Sequence, residues 1–325
     1  MPFKFARLAG LLALGVFTVS AQTYWSTDSN LACGAYGDAN GKPLQLDSGV
    51  YVCYVYGTLP WYASGGGWSS SIRVSAPPLA PVAYILEFGG ANGGAATLDF
   101  RYRGDSAVYT GTSASSSLYA NQPLEVNILG LHSQAPAYGP EADGPVVVLA
   151  ECPDASTCAQ VQAQLIYSAL PGHPWSLTVP VIWDSQTSQA WSTVGVDDGS
   201  SDRVSFVIHN LDTDGQAPHA YTLNVYDSTG KLFDTATTPS VPLYGSYGAM
   251  LRDVVTSLPP DAFKLQVVGL AKTVFEALQF HGPSAATLAT RAEVIPSMTV
   301  TSTARSRNRH MAPEAVQFVP PRILQ

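Results

Sequence analysis

Charged residues are scarce in this sequence. Asp, Glu, Lys and Arg make up 12% of its 325 residues, about half of the ~25% that is usual in soluble proteins. The side chains that cover the outer faces of amphipathic helices are therefore too few for a largely helical protein. The balance of 16 basic to 24 acidic residues gives a net charge of −8. No basic stripe is present to neutralise phosphates, so we expect no nucleic-acid partner.

Long apolar runs are equally rare. The one at the start, Leu8–Val19, follows Lys4 and Arg7 and leads into the small-residue motif Val19-Ser20-Ala21. This order is typical of a cleavable signal peptide, here residues 1–21. The run is shorter than the ~20 residues that a membrane-spanning helix needs, and no later stretch is long enough. The sequence predicts an exported protein, secreted or periplasmic, without a membrane span after cleavage.

Cysteines number only four: Cys33, Cys53, Cys152 and Cys158. Their spacing lacks the CxxC-like pairs of zinc sites. An even number of cysteines in an exported chain favours disulfides. Three pairings are open, and we predict the sequence-local one, Cys33–Cys53 with Cys152–Cys158.

The common catalytic motifs are missing. HExxH, GxSxG, the P-loop and GxGxxG do not occur. The segment 245–248, Gly-Ser-Tyr-Gly, has the wrong spacing for a nucleophile elbow and is interpreted as a turn. Glu87, Asp99, Glu125 and Glu151 lie on separate predicted strands instead of forming a pair suited to glycoside hydrolysis. We predict no catalytic residues and no cofactor, although a Ser/His/Asp triad assembled from distant residues stays open.

Two acidic loops, 197–202 and 212–215, flank one predicted strand. Calcium prefers such oxygen-rich loops, but the EF-hand pattern is not met. Asp, Ser and Gly favour turns in any case. We predict no metal site, and leave open whether Asp212 and Asp214 bind calcium.

Residues of strands and turns are abundant. The chain has 28 Gly, 24 Pro and 16 Tyr, which suits pleated surfaces joined by tight connections. Polar and apolar residues alternate in several segments, as in Leu98-Asp99-Phe100-Arg101-Tyr102. Period-2 alternation indicates antiparallel sheets with one buried face. We predict an all-β protein.

An internal repeat organises the chain. Landmarks recur at a nearly constant offset: Trp68 with Trp191, Thr97 with Thr222, Tyr119 with Tyr244, and, after unequal insertions, 161–167 with 274–280. Two copies suit paired domains better than a solenoid, which needs three or more. The sequence therefore predicts two tandem immunoglobulin-like β-sandwich units related by this repeat. Five segments are expected: a signal peptide (1–21), an aromatic N-terminal segment (22–64), the first unit (65–172), the second unit (173–296) and a flexible tail (297–325).

The order of these features supports a resemblance. A Gly-Gly-Gly-Trp-Ser segment at 65–69, an alternating strand, a strand–turn–Gly segment, a Leu-Tyr turn and a closing strand occur, and the series is repeated once. Over residues 60–290 this resembles uncharacterised two-domain secreted β-sandwich proteins of environmental bacteria. The resemblance implies no activity and no site residues.

Aromatic residues are dense near the N-terminus. Trp25, Trp61 and Trp68 are candidates for stacking on sugar rings, and core or edge packing is the alternative role of such side chains. We predict a secreted, non-catalytic interaction or structural protein whose partner is an unknown extracellular protein or glycan. The alternative is a carbohydrate-binding module or a glycoside hydrolase.

Overall fold

A computed structural model describes most of the chain. The described residues are 52–65, 67–76, 82–115, 123–132, 142–152, 155–169, 176–183, 186–199, 202–212, 218–282 and 291–300, with the backbone of four short strands between 24 and 44. The predicted signal peptide and the tail from residue 301 lie outside them. Two four-residue helices are described, α1 (Ala155–Cys158) and α2 (Leu251–Val254). No described helix is long and apolar enough to cross a membrane.

The first sandwich is formed by two antiparallel sheets. Its strands are β1 (Tyr24–Trp25), β2 (Leu31–Gly34), β3 (Tyr36–Gly37), β4 (Pro43–Leu44), β5 (Val52–Ser64), β6 (Trp68–Ser75), β7 (Ala83–Phe88), β8 (Leu98–Tyr102), β9 (Tyr109–Gly111), β10 (Ser113–Ser115), β11 (Leu124–Leu131), β12 (Ala142–Cys152), β13 (Gln162–Ala169), β14 (Ser176–Pro180) and β15 (Ile182–Trp183). Sheet A has the order β1-β2-β5-β12-β7-β10, with β15 also paired to β5, and sheet B has the order β14-β13-β6-β11-β8-β9. The short pair β3–β4 stands apart from both sheets.

The second sandwich is built around one long strand. Its strands are β16 (Ser188–Val196), β17 (Asp202–Asn210), β18 (Thr222–Tyr226), β19 (Leu232–Thr237), β20 (Ser246–Met250), β21 (Phe263–His281), β22 (Arg291–Ile295) and β23 (Ser297–Thr299). The first part of β21, residues 263–268, pairs with β16 and β18. Its second part, 273–281, pairs with β17 and β22. We call the layer β22-β21-β17-β20 sheet C and the layer β23-β16-β21-β18-β19 sheet D.

Part of the strand pairing of the first sandwich recurs in the second. β6, β7, β8, β9 and β10 have the same neighbours as β16, β17, β18, β19 and β20, and β11 and β12 correspond to the two parts of β21. Phe100 lies opposite Ile128, which lies opposite Ser70. Val225, Leu265 and Thr193 form the equivalent row. Trp68 and Trp191 each precede that row by two residues, so these landmarks occupy matching positions. The predicted fold class, an all-β protein built of antiparallel sheets packed as sandwiches, is confirmed.

One landmark of the sequence comparison is wrong. The pattern matches 161–167 with 274–280, but β13 pairs with β6 and β14, whereas 274–280 pairs with β17 and β22. The strand that corresponds to β13 is β23, which pairs with β16. Segment 161–167 alternates between buried and more exposed residues, whereas 274–280 is buried throughout, and a similar set of apolar residues does not identify the sheet that a strand joins. The Leu118-Tyr119 landmark lies outside the described residues.

Several strands lie on the other side of the expected segment boundaries. β5 pairs with β12 along its length, so 52–64 is part of the first sandwich. β14 and β15, expected at the start of the second unit, pair with β13 and β5 of the first. β23 extends sheet D into the expected tail. Between β5 and β6, Gly65 and Trp68 exchange backbone hydrogen bonds.

One of the two predicted disulfides is confirmed. Cys152 and Cys158 are bonded, which ties α1 to the end of β12. This bond excludes the two alternative pairings. The backbones of Cys33 and Cys53 lie directly opposite each other in β2 and β5. Their side chains lie outside the described residues, so the Cys33–Cys53 bond stays a prediction.

The sandwiches dock through close backbone contact. The N–H of Ser246 donates to the carbonyl of Ala91, at 3.0 Å. A Cβ on Gly93 would lie 2.3 Å from the carbonyl oxygen of Leu243, and Gly93 has a φ of +86°. A side chain at Gly245 would lie 2.7 Å from the Ala91 carbonyl oxygen. Only glycine allows the loop 89–95 to approach the second sandwich this closely.

Substitution of Gly93 by Ala tests this docking. We expect Gly93→Ala to lower the free energy of unfolding by about 2–4 kcal/mol, because backbone strain adds to a collision between the sandwiches. Gly104→Ala is the matched control, since Gly104 has a φ of +81° and open space around it. In the control only the backbone strain lowers the free energy of unfolding, by about 1 kcal/mol. Urea unfolding measures both, and equal losses would contradict the docking contact.

Candidate functional site

The candidate site lies where the outer face of sheet C meets the first sandwich. Successive side chains of a strand point to opposite faces. Phe206 and Phe275 enter the second core, whereas Leu278 and Phe280 pack into the first. Sheet C is thus buried on both faces, which explains the nearly continuous apolar runs in β17 and β21.

A cavity of about 300 Å³ lies between the sandwiches. Its larger lining side chains are Trp61, Trp68 and Tyr167 from the first sandwich and Phe206, Met250 and Leu278 from the second. Asp143, on β12, is the charged side chain among the described lining residues. The walls are therefore mainly apolar and aromatic, and the charge at the cavity is negative.

Two of the three predicted stacking residues meet at this cavity. Trp61 and Trp68 both line it. Trp68 also packs edge-on against Tyr167 and Phe280, with ring centroids 5.9 and 5.8 Å away. The side chain of Trp25 lies outside the described residues. Trp68 therefore combines core packing with a place in the cavity wall, and a ligand-stacking role for either tryptophan stays a proposal.

Glu276 is buried on the same face of β21 as the lining residue Leu278. It lies opposite Val207 in the register of β17 and β21 and is 4% exposed. Neither carboxyl oxygen has a hydrogen-bond partner among the described residues. Taking a carboxylate out of water without a partner is costly, and this burial raises the pKa of Glu276 to about 8. At neutral pH the carboxyl group is therefore mostly protonated.

Tyr167 shares this buried region. Its hydroxyl donates to the carbonyl of Trp61, which connects β13 to β5. Burial, and next the negative charge of an ionised Glu276, raise the pKa of the Tyr167 hydroxyl. The tyrosine therefore stays a neutral hydrogen-bond donor and does not act as a base.

His209 and Ser246 form a second buried polar pair on the same face. The Nδ1 atom of His209 lies 2.9 Å from both the Gly245 carbonyl oxygen and the Ser246 Oγ. Because a carbonyl oxygen only accepts, Nδ1 carries the proton. The Ser246 hydroxyl in turn donates to the carbonyl of Pro60, at 3.1 Å. Nδ1 cannot take a proton from the serine in this arrangement, so the pair positions the sandwiches and does not activate a nucleophile.

Burial also determines the charge of His209. Its side chain is fully buried, and burial lowers its pKa to about 4, with the hydrogen bond to Gly245 opposing the shift. The imidazole is therefore neutral at physiological pH. Ser246 begins β20, so the turn predicted for 245–248 ends at Gly245, whose N–H donates to Pro242.

Two acidic side chains of the loop 197–202 have ion-pair partners within the second sandwich. Asp198 pairs with Arg252, at 2.6 Å between Oδ1 and Nε. Asp202 pairs with His281, at 3.1 Å. Asp212 is buried, and Asp214 lies outside the described residues. No cluster of three or more potential metal ligands occurs in the described part of the chain.

Sequence reasoning missed the polar groups of the interface. A signal for Glu276 was present, because it is the charged residue within the apolar run 274–280. A charged residue in a buried strand is unusual and points to a special environment. The sequence signal for His209 is weaker, because a histidine at the end of a strand can equally well be exposed. Neither residue could be assigned to an interface before the packing of the sandwiches was known.

Comparisons with known proteins identify no family. No family model and no curated protein matches the sequence. Among solved structures, one similar chain is described as "Enterococcal surface protein, partial N-terminal region". It is 10% identical, the alignment covers 77% of this chain and 90% of that chain, and the TM-score is 0.19. Similarity at this level supports no inference about fold or function.

The two buried titrating groups predict a pH profile of stability. Glu276 has a pKa raised from 4.5 to about 8, so its contribution is complete below pH 4.5 and is lost as the pH rises through 8. His209 has a pKa lowered from 6.5 to about 4, so its contribution is complete above pH 6.5 and is lost as the pH falls. Between pH 4.5 and 6.5, the effects of the two groups on the pH dependence of stability have opposite signs. Above pH 6.5 the Glu276 effect remains, so stability falls as the pH rises.

Glu276→Gln isolates the first of these effects. In the unchanged protein the free energy of unfolding should fall by about 2 kcal/mol between pH 6.5 and 8. We expect this decrease to be absent in the variant. Chemical unfolding at several pH values gives the difference curve between the two proteins. A difference that stays constant across this range would show that Glu276 titrates normally. Carbon-13 NMR of the Glu276 carboxyl group gives an independent pKa.

Proposed function

We propose that this chain is a non-catalytic interaction or structural protein that works outside the cytoplasm. The observation that carries the proposal is the protonation of the buried His209–Ser246 pair. Nδ1 of His209 already donates to the Gly245 carbonyl, and the Ser246 hydroxyl donates to Pro60. This buried Ser–His pair therefore joins the two sandwiches and does not form a nucleophile with its base.

The carboxyl groups near the cavity support the same proposal. Asp143 is exposed, whereas Glu276 lies on a buried strand face with 4% exposure. Glycoside hydrolysis needs two carboxyl groups that flank the same bond. Because the Glu276 carboxyl group is buried on the face of a strand, it is poorly placed to reach a glycosidic oxygen. Binding without turnover suits this arrangement better than hydrolysis.

The disulfide supports a location outside the cytoplasm. Cys152–Cys158 is formed, and such bonds persist in oxidising compartments. With the signal peptide predicted from Lys4, Arg7 and the apolar run after them, this favours the cell envelope or the extracellular space. The partner that we propose is an extracellular protein or glycan.

A carbohydrate-binding module is the second candidate function. Trp61 and Trp68 line one cavity that also contains the carboxylate of Asp143. Aromatic rings with a nearby polar group are the usual elements of a sugar site. Pull-down with insoluble polysaccharides, using Trp61→Ala as the comparison, distinguishes this function from protein binding.

A hydrolase panel tests the absence of catalysis. The mature protein is assayed on polysaccharide, ester and peptide substrates beside Ser246→Ala and Glu276→Gln. We expect no turnover above the background of either variant, since Ser246 and Glu276 are closed off from solvent. Reproducible turnover that is lost in one of the variants would refute the non-catalytic proposal.

A further inference from the structure

The basic residues of the first sandwich lie together on one exposed sheet face. Between positions 43 and 202 the sequence has three Lys or Arg residues, namely Arg73, Arg101 and Arg103. Arg73 lies on β6, Arg101 lies on β8, and Arg103 directly follows β8. The residues that precede Arg73 and Arg101 in their strands are buried in the core. Because side chains alternate along a strand, these two arginines project from the outer face of sheet B.

Strand β11 lies between these arginines. Glu125 is opposite Arg73 in the register of β11 and β6, and Asn127 is opposite Arg101 in the register of β11 and β8. From the usual strand spacing, the Cα atoms of Arg73 and Arg101 are roughly 12 Å apart. None of these four side chains is buried. We call Arg73, Arg101 and Arg103 the arginine cluster, and it is open to the solvent.

Two members of the arginine cluster lack a close counter-ion. Arg103 donates to Glu125, at 2.7 Å. Neither Arg73 nor Arg101 has an ion-pair partner among the described residues, and the charge of Arg101 acts on Asp105 from beyond ion-pair distance. The described arginines of the second sandwich each pair with a carboxylate. Two positive charges are therefore left without a close carboxylate on one face of a chain whose net charge is −8.

The surroundings of the arginine cluster are polar. Ile166 and Leu129 are the apolar side chains among the outward residues of β6, β11 and β13. The other uncharged outward residues of these strands carry hydroxyl or amide groups, and none is buried: Ser69, Ser71, Ser75, Asn127, Gln162, Gln164 and Ser168. Protein partners need apolar or aromatic anchors at the centre of an interface. Hydroxyl and amide groups instead match the hydroxyl groups of a sugar chain.

We propose that the arginine cluster binds an acidic polysaccharide, with carboxylates of its sugar units on Arg73 and Arg101. A guanidinium group is planar and pairs with a carboxylate through two parallel hydrogen bonds. Two uncompensated arginines on either side of β11 fit a polymer whose charges are spread along a sugar chain. The dense charge of nucleic acid requires more basic groups. The inference rests on the proposed function, since it names the ligand class of a protein that binds without turnover.

The experiment measures binding of the mature protein to immobilised polygalacturonate, alginate and hyaluronate by biolayer interferometry. Each polymer is also tested after methyl esterification, which keeps the sugar chain and removes the charge. Polyglutamate is the polyanion without sugar. Arg73→Gln and Arg101→Gln each remove one charge from the cluster. Arg291→Gln, which removes the charge of an exposed arginine of the second sandwich, is the matched control. Size analysis of the recovered polymers shows whether any is cleaved.

We expect binding to at least one of the three acidic polysaccharides, with an affinity that falls as salt is added, because salt screens exposed charges. Arg73→Gln and Arg101→Gln should each weaken this binding about fivefold to tenfold. Asn127→Asp should weaken it at least as much, because it places a carboxylate between the two arginines. Arg291→Gln should bind as the unchanged protein does. The esterified form of the bound polymer should bind at least about tenfold more weakly.

No binding to any of the three polysaccharides would overturn the inference. So would equal affinity for the esterified polymers, an unchanged affinity in the folded Arg73→Gln and Arg101→Gln variants, or an equal loss in Arg291→Gln. Binding of polyglutamate as tightly as of the polysaccharides would overturn it in favour of an acidic protein partner. Shortening of the recovered polymer would instead overturn the non-catalytic proposal and leave the binding site in place, so the two failures are distinguishable.

Discussion

The two-sided burial of sheet C is the constraint on which the rest of the structure depends. One face of β17 and β21 closes the second core with Phe206 and Phe275. The other face sends Leu278 and Phe280 into the first core. Two sandwiches that share a sheet in this way have a fixed relative position, because neither core is complete without β21. The close approach of the loop at Gly93 is a consequence of that fixed position.

The polar groups trapped at this interface have defined protonation states for the same reason. His209 is neutral because it is buried, and Glu276 is mostly protonated at neutral pH because it is buried without a hydrogen-bond partner among the described residues. The first group is satisfied at Nδ1 and joins the sandwiches. The second faces the first sandwich on the same side of β21 as Leu278 and Phe280, and its protonation removes the cost of burying a charge there.

The sequence predicts more of the fold than of the site. Alternation in Leu98–Tyr102 and the matching of Trp68 with Trp191 predict sandwich strands in corresponding positions, because period and register are local properties of strands. The match of 161–167 with 274–280 is wrong, since a similar set of apolar residues does not specify which sheet a strand joins. The cavity depends on contacts between β5 and sheet C, which are far apart in the chain. The density of aromatic residues predicts Trp61 and Trp68 as candidate binding residues. The position of Glu276 at the interface can be recognised only from the three-dimensional packing.

Differential scanning calorimetry of the mature chain tests most directly whether the two sandwiches form one cooperative unit. The shared sheet predicts a single transition whose calorimetric and van't Hoff enthalpies agree. The same single transition should move to lower temperature in Gly93→Ala without dividing. Two separate transitions in the unsubstituted protein, each with the enthalpy of one sandwich, would contradict the account.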